Sequence, residues 1–278
     1  KLDASGLENE AQRNIQANAA YFQSAVAEAF SNDEASLVRF IKFLLGRCFL
    51  VAVSTPNRES AFRVFSVMNS RGMDLQPTDI IKADIIGNVP EKSQGKVNDD
   101  WENMEVDLGR GGFNELFSHI RMIYAKEKAR KSLLEEFRKH VMLDDLDPMR
   151  FVDEILRPYS SAYDMIRTSS YVAVEKSKEV NELLIWLNRL DFSDWMPPAI
   201  AFMSRMKDQP AEIQGFFWRL ERLAAWMHWC KANVNERTEI FGQVLREIEE
   251  EKTAAQITSL ELSEEKIVMS ISLMRGKN

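Results

Sequence analysis

The side chains that most often carry catalysis or bind metals are few in this sequence and stand apart from one another. The three histidines, His119, His140 and His228, occur singly within predicted helices. His228 and Cys230 are two residues apart on a helix, so their side chains point in different directions and cannot chelate one ion. Cys48 lies far from Cys230 along the chain, and the two fit no metal spacing. These spacings assemble no Ser-His-Asp or Cys-His arrangement for nucleophilic catalysis.

Two acidic clusters and one glycine-rich segment are weaker candidates for ligand sites. The clusters are Asp144, Asp145 and Asp147, and Glu249–Glu251. They could bind a divalent cation, but they lack the alternating spacing and the glycine of a calcium loop. The favoured interpretation is that these acidic side chains are simply exposed to solvent. LGRGGF, residues 108–113, precedes a predicted helix and could cradle a phosphate. It lacks the Gly-Lys-Ser/Thr ending of a P-loop, so a plain loop between helices is favoured.

A basic stretch at residues 121–139 is the best candidate for a surface that contacts nucleic acid. Three glutamates interrupt seven basic residues there, which leaves an excess of four positive charges in a chain whose net charge is -7. Tyr124 could stack on a base, while a solvated helix face is the favoured alternative. The basic residues are Arg121, Lys126, Lys128, Arg130, Lys131, Arg138 and Lys139. DNA is therefore a candidate partner.

The elements that must position these residues are predicted to be helices. The 278 residues include only 11 glycines and 8 prolines, and residues that favour helices are plentiful. We expect a mainly α fold, an irregular multi-helix bundle in two lobes with one short strand near 48–54. The first lobe covers residues 1–145 and the second covers 146–278, with a soft boundary in the polar LDDLDP segment.

The single predicted strand is CFLVAVST, residues 48–55, because it is apolar, rich in β-branched residues and followed by Pro56. A helix over 7–31 comes before it, and Ser31 with Glu34 forms a predicted capping box for the next helix. A lone strand needs a partner for its backbone hydrogen bonds. A hairpin elsewhere in the chain, a second copy in a homodimer, or a sheet in a segment outside this sequence could supply that partner.

After the strand, the pattern of apolar residues predicts helices almost to the end of the chain. Residues 59–69 are predicted to form a helix that Gly72 stops in a left-handed conformation, and Pro77 opens the next helix. A polar loop is expected at 91–99, and Pro158 is expected to kink its helix. The predicted helices after residue 70 cover 77–86, 98–108, 113–128, 130–141, 148–168, 174–190, 197–207, 210–231, 236–250 and 263–275.

Charge and cysteine content predict where the protein works. An acidic chain must use a local patch for any contact with nucleic acid. Two cysteines in 278 residues suit a reducing compartment. No apolar run reaches the roughly 18 residues of a membrane span. We therefore expect a cytoplasmic protein with no membrane partner.

The segment AFRVFSVMNSRGMDLQPTDIIKADII, residues 61–86, carries a specific pattern of a helix, an Asn-x-x-Gly turn, a leucine and then Asp-x-x-Lys on the next helix. It resembles the ParB-like family typified by the GmrSD modification-dependent restriction enzymes. Residues 14–22 and 218–250 also resemble helical parts of that family. The matching positions in the specific segment are Phe62, Phe65, Asn69, Arg71, Gly72, Leu75, Asp79 and Lys82.

The chain departs from this family at both catalytic ends. It contains no Asp-Gly-Gln-Gln-Arg motif, and it lacks the histidine-containing motif of a closing HNH nuclease domain. The resemblance therefore implies a central helical region of a longer protein. Its partners would be a ParB-like N-terminal core and a C-terminal nuclease domain. It would hold no cofactor itself, although the whole enzyme would use a nucleoside triphosphate and a divalent metal to cut foreign or modified DNA.

The same resemblance makes Asn69, Arg71, Gly72, Asp79 and Lys82 candidates for contact with a nucleotide or with the missing core. Simpler interpretations are a helix C-cap turn for the first three and an ion pair or turn support for the last two. Asp79 also suits the positive first turn of its helix. The leading hypothesis is an accessory region that is inactive alone. The alternative is a self-sufficient helical interaction module with no catalytic role.

Overall fold

A computed structural model of the chain describes helices joined by short connections, with no strand in the part that it covers. Most of the predicted strand at 48–55 lies outside the described residues. Cys48, Phe49 and Ser54 are described, and none of them is in a strand. The described residues are 10–31, 33–49, 54, 76–142, 146–264, 267, 268 and 272.

The chain divides into two compact units, and the first covers residues 1–71. It contains helix α1, Glu10–Ala29, and helix α2, Glu34–Arg47. Asp33 caps α2, since its Oδ1 atom accepts a hydrogen bond from the Ser36 backbone N–H at 2.9 Å. The capping box predicted from Ser31 is therefore wrong. Ser31 lies two positions before the true N-cap, too early to reach the exposed amides of the first turn.

The second unit covers residues 72–278 and holds the remaining described helices. Most of the helices predicted after residue 70 are present, although their ends differ from the predicted ends by a few residues. They are α3 Pro77–Gly87, α4 Glu91–Ala125, α5 Leu133–His140, α6 Pro148–Arg150, a π-helix Phe151–Leu156, α7 Arg157–Thr168, α8 Ser177–Leu187, α9 Met196–Met206, α10 Pro210–Trp229 and α11 Val234–Glu249, followed by 3₁₀ turns at Ala254–Gln256 and Thr258–Leu260. The predicted last helix at 263–275 lies mostly outside the described residues.

Helix α4 begins at Glu91, so the polar loop predicted at 91–99 is wrong. Val97, Trp101 and Met104 recur at helical spacing and are buried, which holds the polar residues between them in the same helix. The backbone leaves helical geometry at Gly109, with φ 70° and ψ 155°. That combination is accessible almost only to glycine, so Gly109 marks a kink in this 35-residue helix.

The chain also departs from regular helix geometry just before Pro158. Residues Phe151–Leu156 form a π-helix, and α7 follows with Pro158 in its first turn. Proline has no backbone N–H, so it cannot donate the usual bond to the carbonyl four residues earlier. The predicted irregularity of this helix is therefore taken up as a π-turn directly before the proline.

One cluster of buried side chains runs from Ile81 to Leu260. Helix α9 lies near its centre, where the rings of Phe202 and Phe216 stack at 4.0 Å. Helices α7, α10 and α11 contact α9, and α4 contacts it as well. The cluster has members on both sides of residues 145 and 146, so the segments on either side of the predicted lobe boundary share one core. None of the described helices has the length and apolarity required to cross a membrane.

Candidate functional site

Only part of the motif at 61–86 can be placed in the structure. Asn69, Arg71 and Gly72 lie outside the described residues. Asp79 and Lys82 are described, and both belong to α3. The contacts of these two charged residues define the described part of the site.

Asp79 closes the start of α3. Its Oδ2 atom accepts a hydrogen bond from the Gln76 backbone N–H at 2.8 Å, and its own N–H donates to the Gln76 carbonyl at 3.0 Å. Pro77 occupies the first turn, where a missing N–H costs nothing. The carboxylate therefore lies at the positive end of the helix, the position that its sequence context indicates.

Asp79 and Lys82 pair with α4 and not with each other. The Arg110 guanidinium lies 3.0 Å from the Asp79 carboxylate, and the Lys82 ammonium lies 3.1 Å from Glu102. Thr78 adds a third link, because its hydroxyl donates to the Asn114 side-chain oxygen at 2.8 Å. Together these contacts attach the first turns of α3 to α4 at three points.

The Glu102 carboxylate is held in its charged form by its neighbours. Its burial opposes ionisation, but hydrogen bonds from Asn98 and Lys82 outweigh that effect and hold the pKa of Glu102 below its usual value. Asn98 donates to the same carboxylate oxygen at 2.8 Å. A charged Glu102 keeps the link to Lys82 in place at neutral pH.

The glycine-rich segment LGRGGF supplies the partner of Asp79. It is a kink inside α4 and not a free loop, since Gly109 is its one residue with non-helical backbone angles. The Leu108 carbonyl accepts a hydrogen bond from Arg167 at 2.8 Å. A side chain at Gly112 would approach the same guanidinium to 2.7 Å. The segment therefore packs against α7 and presents Arg110 to α3.

Sequence reasoning missed Arg110, Glu102 and Asn114 as partners of the motif. All three lie on α4, and 20 to 36 residues separate them from their partners on α3. The one local signal was an arginine directly after a glycine that breaks the helix. The other two pairings depend on how α3 packs against α4.

Arg121, which was predicted to belong to a DNA-facing stripe, is buried and does not form part of an exposed basic surface. The residue is 4% exposed, and its Nη2 atom lies 2.6 Å from the Glu136 carboxylate. Its guanidinium also donates to the Glu127 carbonyl. Glu136 in turn accepts hydrogen bonds from the backbone N–H groups of Arg130 and Lys131, each at 3.2 Å. This ion pair orders the connection between α4 and α5.

The other basic residues of the stretch differ in how accessible they are. Lys126 is largely buried and lies 3.1 Å from Glu249. Lys128 is exposed and donates to Asn235 at 2.9 Å, while Lys131 lies 4.0 Å from Glu135. Arg130 is exposed as well. Lys128, Arg130, Lys131 and Lys139 therefore remain as exposed members of the predicted stripe, and the exposed Arg138 pairs with Asp84 at 2.7 Å.

The histidines do not come together in one site. Burial lowers the pKa of His119 to about 4, so this ring is neutral at physiological pH, and it lies 5.4 Å from the Tyr163 ring. His140 lies 3.5 Å from Glu136, and His228 contacts Asp191 at 3.0 Å. Within the described residues, no group of three His, Cys, Asp or Glu side chains is arranged to hold a metal ion.

Comparisons of the chain with protein-family models, with curated proteins and with solved structures give no match. The resemblance carried by residues 61–86 therefore stays a prediction.

Proposed function

We propose that this chain is an accessory helical region of a nucleotide-dependent, modification-directed DNA endonuclease of the GmrSD type. In this proposal it braces a ParB-like core and is inactive alone. The supporting observation is that both charged residues of the described half of the motif link α3 to α4. Asp79 binds Arg110 and Lys82 binds Glu102. The first turn of α3, where the preceding segment joins this helix, is therefore fixed to α4.

The position of α4 also supports a bracing role. This helix contacts α3, which closes the segment with the specific resemblance, and it contacts α11. Helix α11, Val234–Glu249, belongs to the stretch that resembles the region before an HNH nuclease domain. A change at the core could therefore reach the nuclease through α3, α4 and α11, because these elements pack in sequence.

The test uses the native polypeptide, isolated from source cells with an antibody raised against this chain. We expect nucleoside triphosphate hydrolysis and metal-dependent cleavage of modified DNA, and neither activity from the 278-residue chain alone. Asp79→Ala and Arg110→Met should lower hydrolysis to a similar extent, because each removes the same link. Asp99→Ala is the matched control, since Asp99 is an exposed acid on α4.

The proposal fails if the native polypeptide neither hydrolyses nucleotide nor cuts DNA. Asn69→Ala separates two roles for the motif. A loss of hydrolysis with Asn69→Ala, at unchanged thermal stability, would place the turn at the nucleotide. Unaltered hydrolysis in both Asn69→Ala and Asp79→Ala would mean that the motif does not contribute to the active site.

The alternative, a self-sufficient helical interaction module, is favoured by the surface of the first unit. Helix α2 has no buried residue, and it exposes Phe43 by 57% and Leu45 by 83%. Helix α1 exposes Tyr21 and Phe22 to a similar degree. Exposed apolar groups of this size indicate surfaces that associate with other proteins.

Light scattering after size-exclusion chromatography tests the alternative in its homodimer form. A self-associating chain should give twice the monomer mass, and Phe43→Ser with Leu45→Ser should shift it towards 32.1 kDa. A wild-type chain that stays monomeric at all accessible concentrations would rule out the homodimer.

Contact with DNA through the basic stretch is compatible with either role. Lys128→Glu with Arg130→Glu should weaken DNA binding and reduce the slope of log affinity against log salt by roughly 0.9 per lost phosphate contact. Lys178→Glu with Arg189→Glu, at exposed positions outside the stretch, provides a control of equal charge change. No measurable affinity of the wild-type chain at low salt would discard this contact.

A further inference from the structure

A cleft of about 370 Å³ lies beside the π-helix and the C-terminal ends of α4 and α11. Its lining comes from the C-terminal end of α4, the π-helix, α7, α9 and α11. Glu154 belongs to the π-helix. Lys126 and Glu251 both adopt left-handed backbone conformations, with φ of 54° and 59°. A left-handed residue is a common way to end a helix, whereas π-turns are frequent at functional sites, which makes this cleft a candidate for binding.

The electrostatics of the cleft favour positive charge. Helix α4 ends at Ala125 and α11 ends at Glu249, so the negative ends of two helix dipoles lie at its lining. Glu154, Glu249 and Glu251 add carboxylates. Arg150 lies 2.6 Å from Glu154 and Lys126 lies 3.1 Å from Glu249, so Glu251 is the lining carboxylate that has no ion pair among the described residues. The two helix ends and the Glu251 carboxylate would oppose an anionic ligand.

Two cationic side chains of the protein already lie in this field. The Lys126 ammonium contacts Glu249 at 3.1 Å and the Tyr124 carbonyl at 3.3 Å. The Arg205 guanidinium donates to the carbonyls of Ile248 and Lys252 at the end of α11. The cleft thus binds an ammonium and a guanidinium of its own chain through carbonyl and carboxylate oxygens.

Two tyrosine hydroxyls at the cleft offer further oxygen ligands. Neither the Tyr124 nor the Tyr159 hydroxyl has a hydrogen-bond partner in the part of the chain that the structure describes. Burial raises the pKa of both phenols, and for Tyr159 the neighbouring Tyr124 and Glu249 raise it further. Both hydroxyls therefore stay neutral at physiological pH and can accept a hydrogen bond from an N–H donor.

We propose that this cleft binds the primary ammonium group of an alkylamine, with the Glu251 carboxylate and the Tyr124 and Tyr159 hydroxyls as its oxygen ligands. An ammonium carries three N–H donors, which matches these three acceptors. Aromatic rings beside the site add attraction for a cation. The amine is either a free polyamine or a lysine side chain. This inference is independent of the proposed role in an endonuclease.

Isothermal titration calorimetry of the whole chain with spermidine and with Nα-acetyl-lysine amide tests the proposal. We expect saturable binding that weakens as salt is added. Tighter binding of spermidine would identify a free polyamine as the source, and tighter binding of the lysine derivative would identify a protein side chain. Sodium sulfate serves as an anionic probe and should give no binding.

Variants at the cleft should change the affinity in opposite directions. Glu251→Gln and Tyr159→Phe should each weaken amine binding by about tenfold, since each removes one hydrogen-bond acceptor for a charged group. Lys126→Met should strengthen it by roughly threefold or more, because it frees Glu249 from the ammonium that now occupies it. Glu239→Gln, an exposed acid elsewhere on α11, and Tyr21→Phe, on α1, are the matched controls and should change nothing.

Three results would overturn the proposal. They are no binding of either amine, equal affinity in the cleft variants and the controls, and competition by sulfate for the same site. Thermal unfolding of each variant checks that the chain is folded. Glu251 is exposed, so Glu251→Gln decides the question even if Tyr159→Phe does not fold.

Discussion

At the scale of single residues, the buried pair of Arg121 and Glu136 orders the connection between α4 and α5. The hydrogen bonds from Arg121 and from the Arg130 backbone lower the pKa of Glu136 to about 2 from an ordinary 4.5. Because the folded pKa lies below the unfolded one, the pair stabilises the fold fully above pH 4.5. That stabilisation is lost as the pH falls through 4.5 towards 2.

The pH dependence of urea unfolding tests this linkage. Between pH 6 and 3 the wild-type chain should lose stability more steeply than the Glu136→Gln variant, because the variant has no carboxyl group to protonate. A parallel decline in both proteins would show that other carboxylates set the acid sensitivity.

Removing one partner of the same pair should be costly at neutral pH. Arg121→Met leaves the buried Glu136 without its guanidinium, so we expect the Tm to fall by about 10 °C in a thermal scan. Arg150→Met removes an exposed pair with Glu154 and should leave the Tm almost unchanged. Equal effects of the two substitutions would mean that the Arg121 pair is solvated.

The link between α3 and α4 is a second residue-scale prediction. Asp79→Ala should lower the free energy of unfolding by about 1–2 kcal/mol, since it removes both the contact with the Gln76 amide and the pair with Arg110. A double-mutant cycle with Arg110→Met should give a coupling energy of roughly 0.5–1 kcal/mol. Additive effects would show that the two side chains do not interact in solution.

At the scale of elements, one close approach decides how α11 packs against the end of α4. A Cβ atom at Gly242 would collide with the Lys126 carbonyl oxygen. Gly242→Ala should therefore destabilise the protein by about 1–3 kcal/mol, although alanine is normally the better helix residue. Gly95→Ala is the control within α4, where the new methyl group meets no atom within 4 Å. That variant should gain up to about 1 kcal/mol in chemical denaturation. Stabilisation by both substitutions would mean that α11 lies farther from Lys126.

At the scale of the whole molecule, burial differs between the two compact units. Helix α2 contributes no buried residue, whereas α9 buries every residue from Met196 to Met203. Amide hydrogen exchange should therefore be fast along α1 and α2 and slow along α9 and α10, because protection follows the number of buried contacts. Equal protection in both units would show that the apolar faces of α1 and α2 are covered in solution, as an interaction module requires.

The sequence by itself determined the helical class and most helix positions, and it identified where some helices begin. Pro77 and Asp79 predict the start of α3 because a proline and an acid suit the first turn of any helix. These are local effects, since they depend on hydrogen bonds and dipoles within a few residues. The same local reasoning failed at 91–99, where a buried stripe of widely spaced apolar residues outweighs the polar residues between them.

The tertiary structure alone decided which side chains meet. In the sequence, Arg121 is one more basic residue in a charged stretch, yet packing of α4 against α5 buries it beside Glu136. Asp79 meets Arg110, 31 residues away, where α3 packs against α4 beside the kink at Gly109. The cleft at Tyr124, Tyr159 and Glu251 likewise draws on separate helices. Such contacts depend on how distant helices pack in space, and the spacing of residues along the chain does not determine that packing.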